Sequence, residues 1–205
     1  MLTMLLRQAA TGLRVLILMT VLCGIVYPLV SLGVAHIPGL ADKAEGSIVT
    51  AKDGSPAGSS LIGIDPVAKD PAADPYFHTR PSASSKDVLG PADTSTSGGS
   101  NKGSFDSDLV DNINKRKAMI AARESADPAQ IPPDAVTTSA SGIDPDISPA
   151  YAALQVARVA KVTGLSTDAV QKLVAESTDG RVLGFLGEPT VNVTTLNLAV
   201  AAARS

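Results

Sequence analysis

The apolar run at residues 15–37 constrains this chain most, because it contains no Asp, Glu, Lys or Arg. About 23 residues at 1.5 Å each form a helix of about 34 Å, enough to cross a hydrocarbon core of roughly 30 Å. The run is also longer than the roughly 7 to 15 apolar residues of a signal-peptide core. It therefore predicts a single transmembrane helix over residues 15–37.

The charges that flank this run indicate its orientation. Arg7 and Arg14 precede the run without any acidic residue, whereas Asp42, Lys43 and Glu45 follow it. Lys and Arg close to a membrane span favour the cytoplasmic side. We therefore expect a cytoplasmic N-terminus over residues 1–14 and an extracytoplasmic domain over residues 38–205.

Two other arrangements of the N-terminus are alternatives to the membrane anchor. Gly33, Val34 and Ala35 offer small residues at which a signal peptidase could cut, so a cleaved secretory signal is an alternative. A lipoprotein signal ending at Cys23 is less favoured, because the three preceding residues, TVL, are not the small residues of such a signal.

Pro28 lies near the middle of the apolar run. Proline removes a backbone donor and clashes with the preceding helical turn, so a kink or a broken turn is expected there. Such a break could fit a partner helix, or it could be a tolerated membrane proline.

Composition excludes several functions for the domain outside the membrane. Three Phe, three Tyr and no Trp supply few stacking platforms, and the net charge of -3 supplies no basic field, so nucleic-acid binding is not expected. The only cysteine, Cys23, lies inside the apolar run, and His36 and His78 are far apart. We expect no disulfide and no metal site.

The spacing of apolar residues and the positions of Gly and Pro predict an α+β fold. One N-terminal transmembrane helix precedes a single domain with a small mixed sheet and about four helices. The expected helices begin near Phe105, at the cap Ser148, at the cap Ser166 and at Thr195, and Gly164 ends the second of them. Short strands are expected at residues 60–64 and 136–138 and before Val193. A loop with the sequence LGFLGEP at 183–189 leads into that last strand.

Residues 98–104 invite comparison with a phosphate-binding loop. Gly98 and Gly103 have the P-loop separation, but Ser104 stands where that motif needs Lys, which indicates a polar loop. The two helices around Gly164 have the spacing of a helix-turn-helix, but the acidic balance favours a plain helical hairpin.

No constellation of residues predicts catalysis. Asp144 and Asp146 fall far short of the six or more oxygen ligands of a hard cation and indicate an Asp turn. His78 stands beside Arg80 without a nucleophile or an orienting acid in one recognisable motif, which is typical of a hydrogen-bonding or packing histidine. The chain is therefore not expected to be an enzyme.

Short motifs spread along nearly the whole chain match one family of membrane subunits in their order. They are YP at 27–28, SLIG at 60–63, YFHTRPSA at 76–83, SGGSN at 97–101, TSASGIDPDISP at 138–149, QVARVA at 155–160 and GEPTVNV at 187–193. In this pattern the chain resembles the C subunit of the Kdp potassium-transporting P-type ATPase. It departs from the family at residues 102–104 and at Asp146, so the resemblance assigns no role to these two turns.

The resemblance implies an accessory, non-catalytic subunit of an ATP-driven K⁺ import complex in the bacterial inner membrane. Its partners would be a channel-like K⁺-translocating subunit, an ATP-hydrolysing P-type subunit and membrane lipid. The complex would handle ATP and K⁺, and this chain would hold no cofactor of its own. The family's C subunit is described as a catalytic chaperone that raises the ATP affinity of the hydrolysing subunit. The positions that match the stretch linked with nucleotide are Gly98, Gly99, Ser100 and Asn101.

Partner contacts are expected at two groups of residues. Small residues and the proline of the span would permit close approach of partner helices. The expected contacts are Gly24, Pro28, Ser31 and Gly33 in the span, and His78, Arg80, Asp144, Glu188 and Asn192 in the outer domain. The competing interpretation is a free-standing anchored envelope protein that binds or senses a ligand, and neighbouring genes would discriminate between the two.

Overall fold

The computed structural model describes residues 1–204 and divides the chain into two compact units, Met1–Ser47 and one that begins at Ile48. The first unit contains α1 (Leu2–Val21), a π-helical turn (Leu22–Val26), α2 (Tyr27–Ala35) and the short α3 (Ala41–Ala44). The continuous helical stretch Leu2–Ala35 has 34 residues and a mean hydropathy of 2.5, and none of its residues is buried. The expected apolar helix of spanning length is confirmed, and it starts earlier than Val15.

The helix changes its hydrogen-bonding pattern directly before Pro28. The Tyr27 N–H donates to the Leu22 carbonyl, five residues back, instead of four as in an α-helix. Pro28 has no N–H with which to continue the α-helical ladder to Gly24. The expected break at this proline is therefore present, as a π-turn over Leu22–Val26.

The second unit is α+β, as expected. Its strands form two small antiparallel sheets rather than one mixed sheet: β1 (Ile48–Thr50) pairs with β2 (Pro56–Ser59), and the other sheet has the order β3-β5-β4. The latter strands are Asp146–Ile147, Thr190–Asn192 and Thr178–Asp179. The helices are α4 (Ser107–Glu124), α5 (Pro133–Val136), α6 (Pro149–Thr163), α7 (Thr167–Glu176) and α8 (Val193–Ala203).

Side-chain caps set the ends of α6 and α7 where the sequence predicts them. The Ser148 hydroxyl accepts from the Tyr151 N–H at the start of α6, and the Ser166 hydroxyl accepts from the Ala169 N–H at the start of α7. Gly164 ends α6 with a φ of 77°, in the left-handed region. These two helices form the expected helical hairpin.

The strands predicted at residues 60–64 and 136–138 are wrong. The Gly63 N–H donates to the Ile143 carbonyl (2.8 Å), but this contact with a loop is not continued as a ladder. Pro133 instead begins a helical turn in which the Thr137 N–H donates to the Pro133 carbonyl (3.0 Å), so Val136 belongs to α5.

The helix expected to begin near Phe105 is present as α4, but Phe105 itself lies outside it. The Asp106 carboxylate accepts from the N–H groups of Asp108 and Leu109, which begins the helix after Phe105. Phe105 is consequently fully exposed. Ile113 and Ile120 do lie on the face of α4 that packs against the core.

The core lies between α4, α6, α7, α8 and the β3-β5-β4 sheet. Its largest fully buried apolar side chains are Tyr151, Phe77, Ile120, Ile147, Leu196, Val159, Val170, Val191 and Val193. Phe77 comes from a segment outside the helices and strands, which is therefore part of the core. That segment is described below.

Replacing Gly63 by Ala should destabilise the second unit. An added Cβ would lie 2.4 Å from the Asp144 carbonyl oxygen, a backbone atom that cannot move aside alone. We expect a loss of about 1–3 kcal/mol in the free energy of unfolding, measured by urea unfolding of the detergent-solubilised chain with far-UV circular dichroism. Gly103→Ala is the matched control, because a Cβ there meets nothing within 4 Å. Equal unfolding curves for both variants would contradict the expectation.

Candidate functional site

Residues 76–83 form an extended segment whose backbone is held by side-chain amides instead of a neighbouring strand. The Phe77 N–H donates to Asn197 Oδ1 (2.8 Å), and Asn197 Nδ2 donates to the Phe77 carbonyl (2.9 Å). In the same way the His78 N–H donates to Gln155 Oε1 (2.8 Å), and Gln155 Nε2 donates to the His78 carbonyl (3.3 Å). Gln155 is completely buried on α6. These two amides fix the segment inside the core.

The His78 ring lies between two carboxylates. Its Nδ1 is 2.8 Å from Asp65 Oδ1, and its Nε2 is 2.6 Å from Asp74 Oδ2. Asp65 Oδ1 also accepts from the Thr79 N–H (3.1 Å). Both ring nitrogens are thus engaged, and the expectation of a hydrogen-bonding histidine is confirmed.

Further ion pairs extend this cluster across α4 and α6. Arg158 on α6 contacts Asp74 Oδ2 (3.7 Å), and its Nε donates to Glu124 Oε2 (2.9 Å). The other Glu124 oxygen accepts from Arg123 Nε (2.7 Å), and Arg123 Nη2 donates to the Tyr151 hydroxyl (3.1 Å). Burial raises the pKa of Tyr151 to about 12. Buried charges are tolerated here because each has a partner of opposite sign.

The two carboxylates favour the protonated form of His78. Burial alone lowers the pKa of His78, but the hydrogen bonds to Asp65 and Asp74 outweigh it and hold that pKa above its ordinary value. Burial alone raises the pKa of Asp74, but the bond to His78, the charge of His78 and the Tyr76 N–H lower it below its ordinary value. His78 and Asp74 are therefore a buried pair in which each group favours the charged form of the other.

The Gly98–Asn101 stretch packs against the loop at residues 138–142. The Gly98 N–H donates to the Ser141 carbonyl (2.8 Å), and the Thr138 hydroxyl donates to Ser100 Oγ (3.2 Å). Gly142 has a φ of 75°, and a Cβ there would lie 2.8 Å from the Gly98 carbonyl oxygen. Only a residue without a side chain allows this close approach of two backbones.

Gly99 and Ser100 also line a polar cleft of about 460 Å³ between this loop and α4. Arg116 on α4 is at its base, and its guanidinium donates to the carbonyls of Val88 (3.0 Å) and Val136 (3.0 Å). Burial lowers the pKa of Arg116. The other lining residues are Ser82, Ala83, Ser85, Lys86, Asp87, Val88, Lys102, Leu109, Asn112 and Thr138.

Arg80 joins the extended segment to both loops. Its Nη1 is 3.5 Å from Asp144 Oδ2, and its Nη2 donates to the Thr138 carbonyl (3.3 Å). Thr138 in turn contacts Ser100, so Arg80, Asp144 and the loop of Gly98 to Asn101 belong to one contact network. The structure therefore brings these three sequence-predicted features together.

Asn192 and Glu188 lie apart from that network. Asn192 is the N-cap of α8, where its Oδ1 accepts from the Thr195 N–H (3.1 Å), and its Nδ2 donates to the Ser60 carbonyl (2.9 Å). Glu188 is exposed and pairs with Arg181 (2.5 Å). Gly24, Pro28, Ser31 and Gly33 are all exposed on the apolar helix.

Sequence reasoning missed the partners of His78. Asp74 precedes His78 by four residues and could have been noticed, but Asp65 is brought in by the irregular chain before it, and Glu124 and Arg158 come from distant helices. Within residues 1–204, no group of three or more His, Cys, Asp or Glu side chains is placed to hold a metal ion.

The charged pair makes stability depend on pH in a defined direction. Because the His78 pKa is raised on folding, its contribution is complete below 6.5 and is lost as the pH rises through the raised value. Because the Asp74 pKa is lowered, its contribution is complete above 3.8 and is lost as the pH falls through the lowered value. The pair therefore stabilises the fold most between these two values.

His78→Gln should lower the free energy of unfolding by about 3 kcal/mol at about pH 5.5, since it removes the charge partner that lies between the Asp65 and Asp74 carboxylates. The variant should also lose the decline in stability that we expect of the wild type as the pH rises through the raised pKa of His78. Urea unfolding across the pH range measures both effects. His36→Gln is the control, because His36 is exposed. A variant at position 78 with the wild-type pH profile would contradict this account.

Comparisons with known proteins cover almost the entire chain. The family model described as "K+-transporting ATPase, c chain" matches residues 9–202. The chain is 46% identical over 202 residues to the potassium-transporting ATPase KdpC subunit of Kineococcus radiotolerans, covering 98% of this chain and 97% of that protein. It is 43% identical over 205 residues to the KdpC subunit of Rhodopseudomonas palustris strain BisB5, covering 96% and 98%.

A third relative, the KdpC subunit of Bradyrhizobium diazoefficiens, is 43% identical to this chain over 203 residues. The match covers 95% of this chain and 96% of that protein. Matches of this length include the apolar helix, the extended segment and both loops. The resemblance stated from the short motifs is thereby confirmed, and the chain belongs to the KdpC family, the C subunits of the K⁺-transporting ATPase.

Proposed function

We propose that this chain is the accessory, non-catalytic subunit of an ATP-driven K⁺ import complex, held in the inner membrane by residues 15–37 with its domain from residue 38 outside the cytoplasm. The observation that carries this proposal is the family match over residues 9–202 in a chain whose apolar helix has no buried residue. Such a helix needs lipid or partner helices around it. The partners are a channel-like K⁺-translocating subunit and an ATP-hydrolysing P-type subunit.

The non-catalytic role is supported by the state of the titratable groups. The only histidine of the outer domain, His78, has both ring nitrogens bonded to carboxylates. In the same cluster the Glu124 carboxylate pairs with both Arg123 and Arg158. A general base needs a free nitrogen or oxygen within reach of a substrate proton. The cluster instead fixes the position of the extended segment.

The proposed effect on ATP affinity acts at a distance. With the N-terminus inside, the loop of Gly98 to Asn101 faces the extracytoplasmic side, whereas ATP is cytoplasmic. A subunit can still raise ATP affinity if it binds one conformation of its partners more tightly than another. The apolar helix, which enters the membrane region, is the element suited to such coupling.

The complex itself provides the first test. The tagged chain should recover a P-type ATPase and a channel-like subunit in equal amounts from detergent-solubilised membranes of K⁺-starved cells, identified by mass spectrometry. Recovery of the chain alone in several mild detergents would contradict the proposal and favour a free-standing envelope protein.

Small residues of the span provide a second test. At 100° per residue, Gly24, Pro28 and Ser31 lie on one side of the helix and Gly33 lies on another. Gly24→Leu combined with Ser31→Leu should reduce recovery of the partner subunits, since small residues permit close helix packing. Gly33→Leu tests the other side, and Gly12→Leu, which lies before residues 15–37, is the control. Undiminished recovery after all three span substitutions would exclude packing through these residues.

The chaperone role predicts a change in ATP binding. Complex reconstituted with this chain should show a KM for ATP lower by about tenfold than the two partner subunits alone, within the usual range of allosteric coupling. A photoreactive ATP analogue should label the hydrolysing subunit and not this chain. Equal KM values with and without the chain would limit its role to assembly. Labelling at Gly98 to Asn101 would instead support direct nucleotide contact.

A further inference from the structure

A buried arginine at the base of the polar cleft has no acidic partner. Arg116 on α4 is 5% exposed, and among residues 1–204 no carboxylate forms an ion pair with its guanidinium. Arg158, which exposes 9% of its side chain, instead pairs with both Glu124 and Asp74. Buried charges in proteins are normally paired. The positive charge of Arg116 therefore lacks a counter-ion within the described chain.

Backbone groups fix the orientation of the Arg116 guanidinium. Its Nε donates to the Val88 carbonyl (3.0 Å), and its Nη1 donates to the Val136 carbonyl (3.0 Å). Its Nη2 has no hydrogen-bond partner within residues 1–204, yet it is not a fully enclosed atom. The N–H groups of Nη2 are therefore open to the cleft that Arg116 lines. Two neutral carbonyls hold the guanidinium in place without neutralising it, so it is a preorganised donor.

Further hydrogen-bond donors line the same cleft. The Asn112 side chain makes no hydrogen bond to the described chain. The Ser100 hydroxyl accepts from the Thr138 hydroxyl (3.2 Å), which leaves its own proton available. The Ser85 hydroxyl likewise accepts from the Asp87 N–H (3.3 Å). Guanidinium, amide and hydroxyl donors around one space are the groups that bind an oxyanion.

The charged side chains around the cleft differ in their exposure to solvent. Lys86 and Lys102 line it together with Arg116, and Asp87 is the acid among its lining residues. Lys102 is already paired with two carboxylates at the start of α4. Lys86 and Asp87 are exposed, so solvent screens their charges, whereas the charge of Arg116 is buried and screened much less. The buried cation therefore sets the sign of the ligand that the cleft can take.

We infer that this cleft binds a small oxyanion, with the charge and size of inorganic phosphate or sulfate. The Arg116 guanidinium is its counter-ion, and Ser100 and Asn112 are further donors. None of the lining residues is aromatic, so the cleft offers no stacking surface for a nucleotide base. The bound ion joins residues 82–88, the loop of Gly98 to Asn101 and α4. This inference does not depend on the proposed function.

Titration of the detergent-solubilised chain with sodium phosphate or sodium sulfate tests the site directly. Isothermal calorimetry at an ionic strength held constant with sodium chloride should show saturable binding at a single site for at least one of the two ions. The same ion should raise the unfolding midpoint and reach a plateau. Phosphate and sulfate also stabilise proteins through exclusion from their surface, but that effect does not saturate. Absence of saturable binding for both ions would overturn the inference.

ADP separates a small anion from a nucleotide. If the cleft is a site for the oxyanion alone, ADP should bind no more tightly than phosphate. Tighter binding of ADP would overturn the assignment to a small anion and identify a nucleotide as the ligand.

A carboxylate built into the cleft should replace the ion. Asn112 lies one helical turn before Arg116, so the two side chains share a face of α4. Asn112→Asp preserves the shape of the side chain and adds the missing counter-ion. The affinity for the bound oxyanion should therefore fall by about tenfold or more, while the unfolding midpoint in chloride stays equal or rises.

Asn114→Asp is the matched control for this substitution. It makes the same change of charge on α4, at an exposed residue outside the cleft, so it should leave the affinity within about twofold of the wild type. Equal affinities in the two variants would contradict the proposed site.

Substitutions of Arg116 itself separate its charge from its structural bonds. Arg116→Lys and Arg116→Gln both change the donors to the Val88 and Val136 carbonyls, so both should lower the unfolding midpoint. Arg116→Lys keeps the positive charge and should retain measurable oxyanion binding, whereas Arg116→Gln should abolish it. Wild-type affinity in a folded Arg116→Gln variant would overturn the inference. If neither variant folds, the comparison of Asn112→Asp with Asn114→Asp still decides the question.

Discussion

Two side-chain amides, those of Gln155 and Asn197, supply hydrogen bonds to a backbone segment that belongs to no sheet. An extended backbone buried without a neighbouring strand would leave its N–H and carbonyl groups unpaired, at a cost of about 1–3 kcal/mol each. An amide side chain offers one donor and one acceptor in the geometry of a peptide group, so each can replace one residue of a missing strand. Residues 77 and 78 can be buried only because α6 and α8 present these two amides.

The remaining geometry of the domain follows from that segment. The buried His78 ring is bonded to Asp65 and Asp74 on either side, which fixes the irregular chain before it. The Pro81 carbonyl accepts from the Ser139 N–H (2.9 Å), which positions the loop against which Gly98 packs. The loop of Gly98 to Asn101 is therefore positioned by a series of contacts that begins at Gln155 on α6.

Local signals in the sequence predicted the parts of the fold that depend on local chemistry. Ser148, Ser166 and Gly164 set helix ends because a cap bonds to N–H groups within three residues, or because one backbone angle must be left-handed. The break before Pro28 also has a local cause, because proline has no backbone N–H. Residues 60–64 have the composition of a strand, but a strand needs a neighbouring strand to pair with. The Gly63 N–H instead bonds to the Ile143 carbonyl, which belongs to a loop. The sequence predicted the residues of the candidate site one by one and not as a cluster. His78 and Gln155 are 77 positions apart, so no local sequence pattern indicates their contact.

A domain outside the membrane can influence ATP binding inside it only by a difference in binding free energy between conformations of its partners. Thermodynamic linkage makes this coupling reciprocal: if the chain raises the affinity of the hydrolysing subunit for ATP, ATP raises the affinity of the complex for this chain by the same factor. Strong attachment through the outer domain and conformational coupling are then distinct requirements. A rigid contact in the outer domain can keep the subunit attached in every state without shifting any equilibrium, because equal affinity for two states favours neither of them. Coupling of the kind we propose requires contacts that change during the transport cycle. The apolar helix with its π-turn before Pro28 has two hydrogen-bonding patterns in one continuous helix, which makes it our candidate for that element.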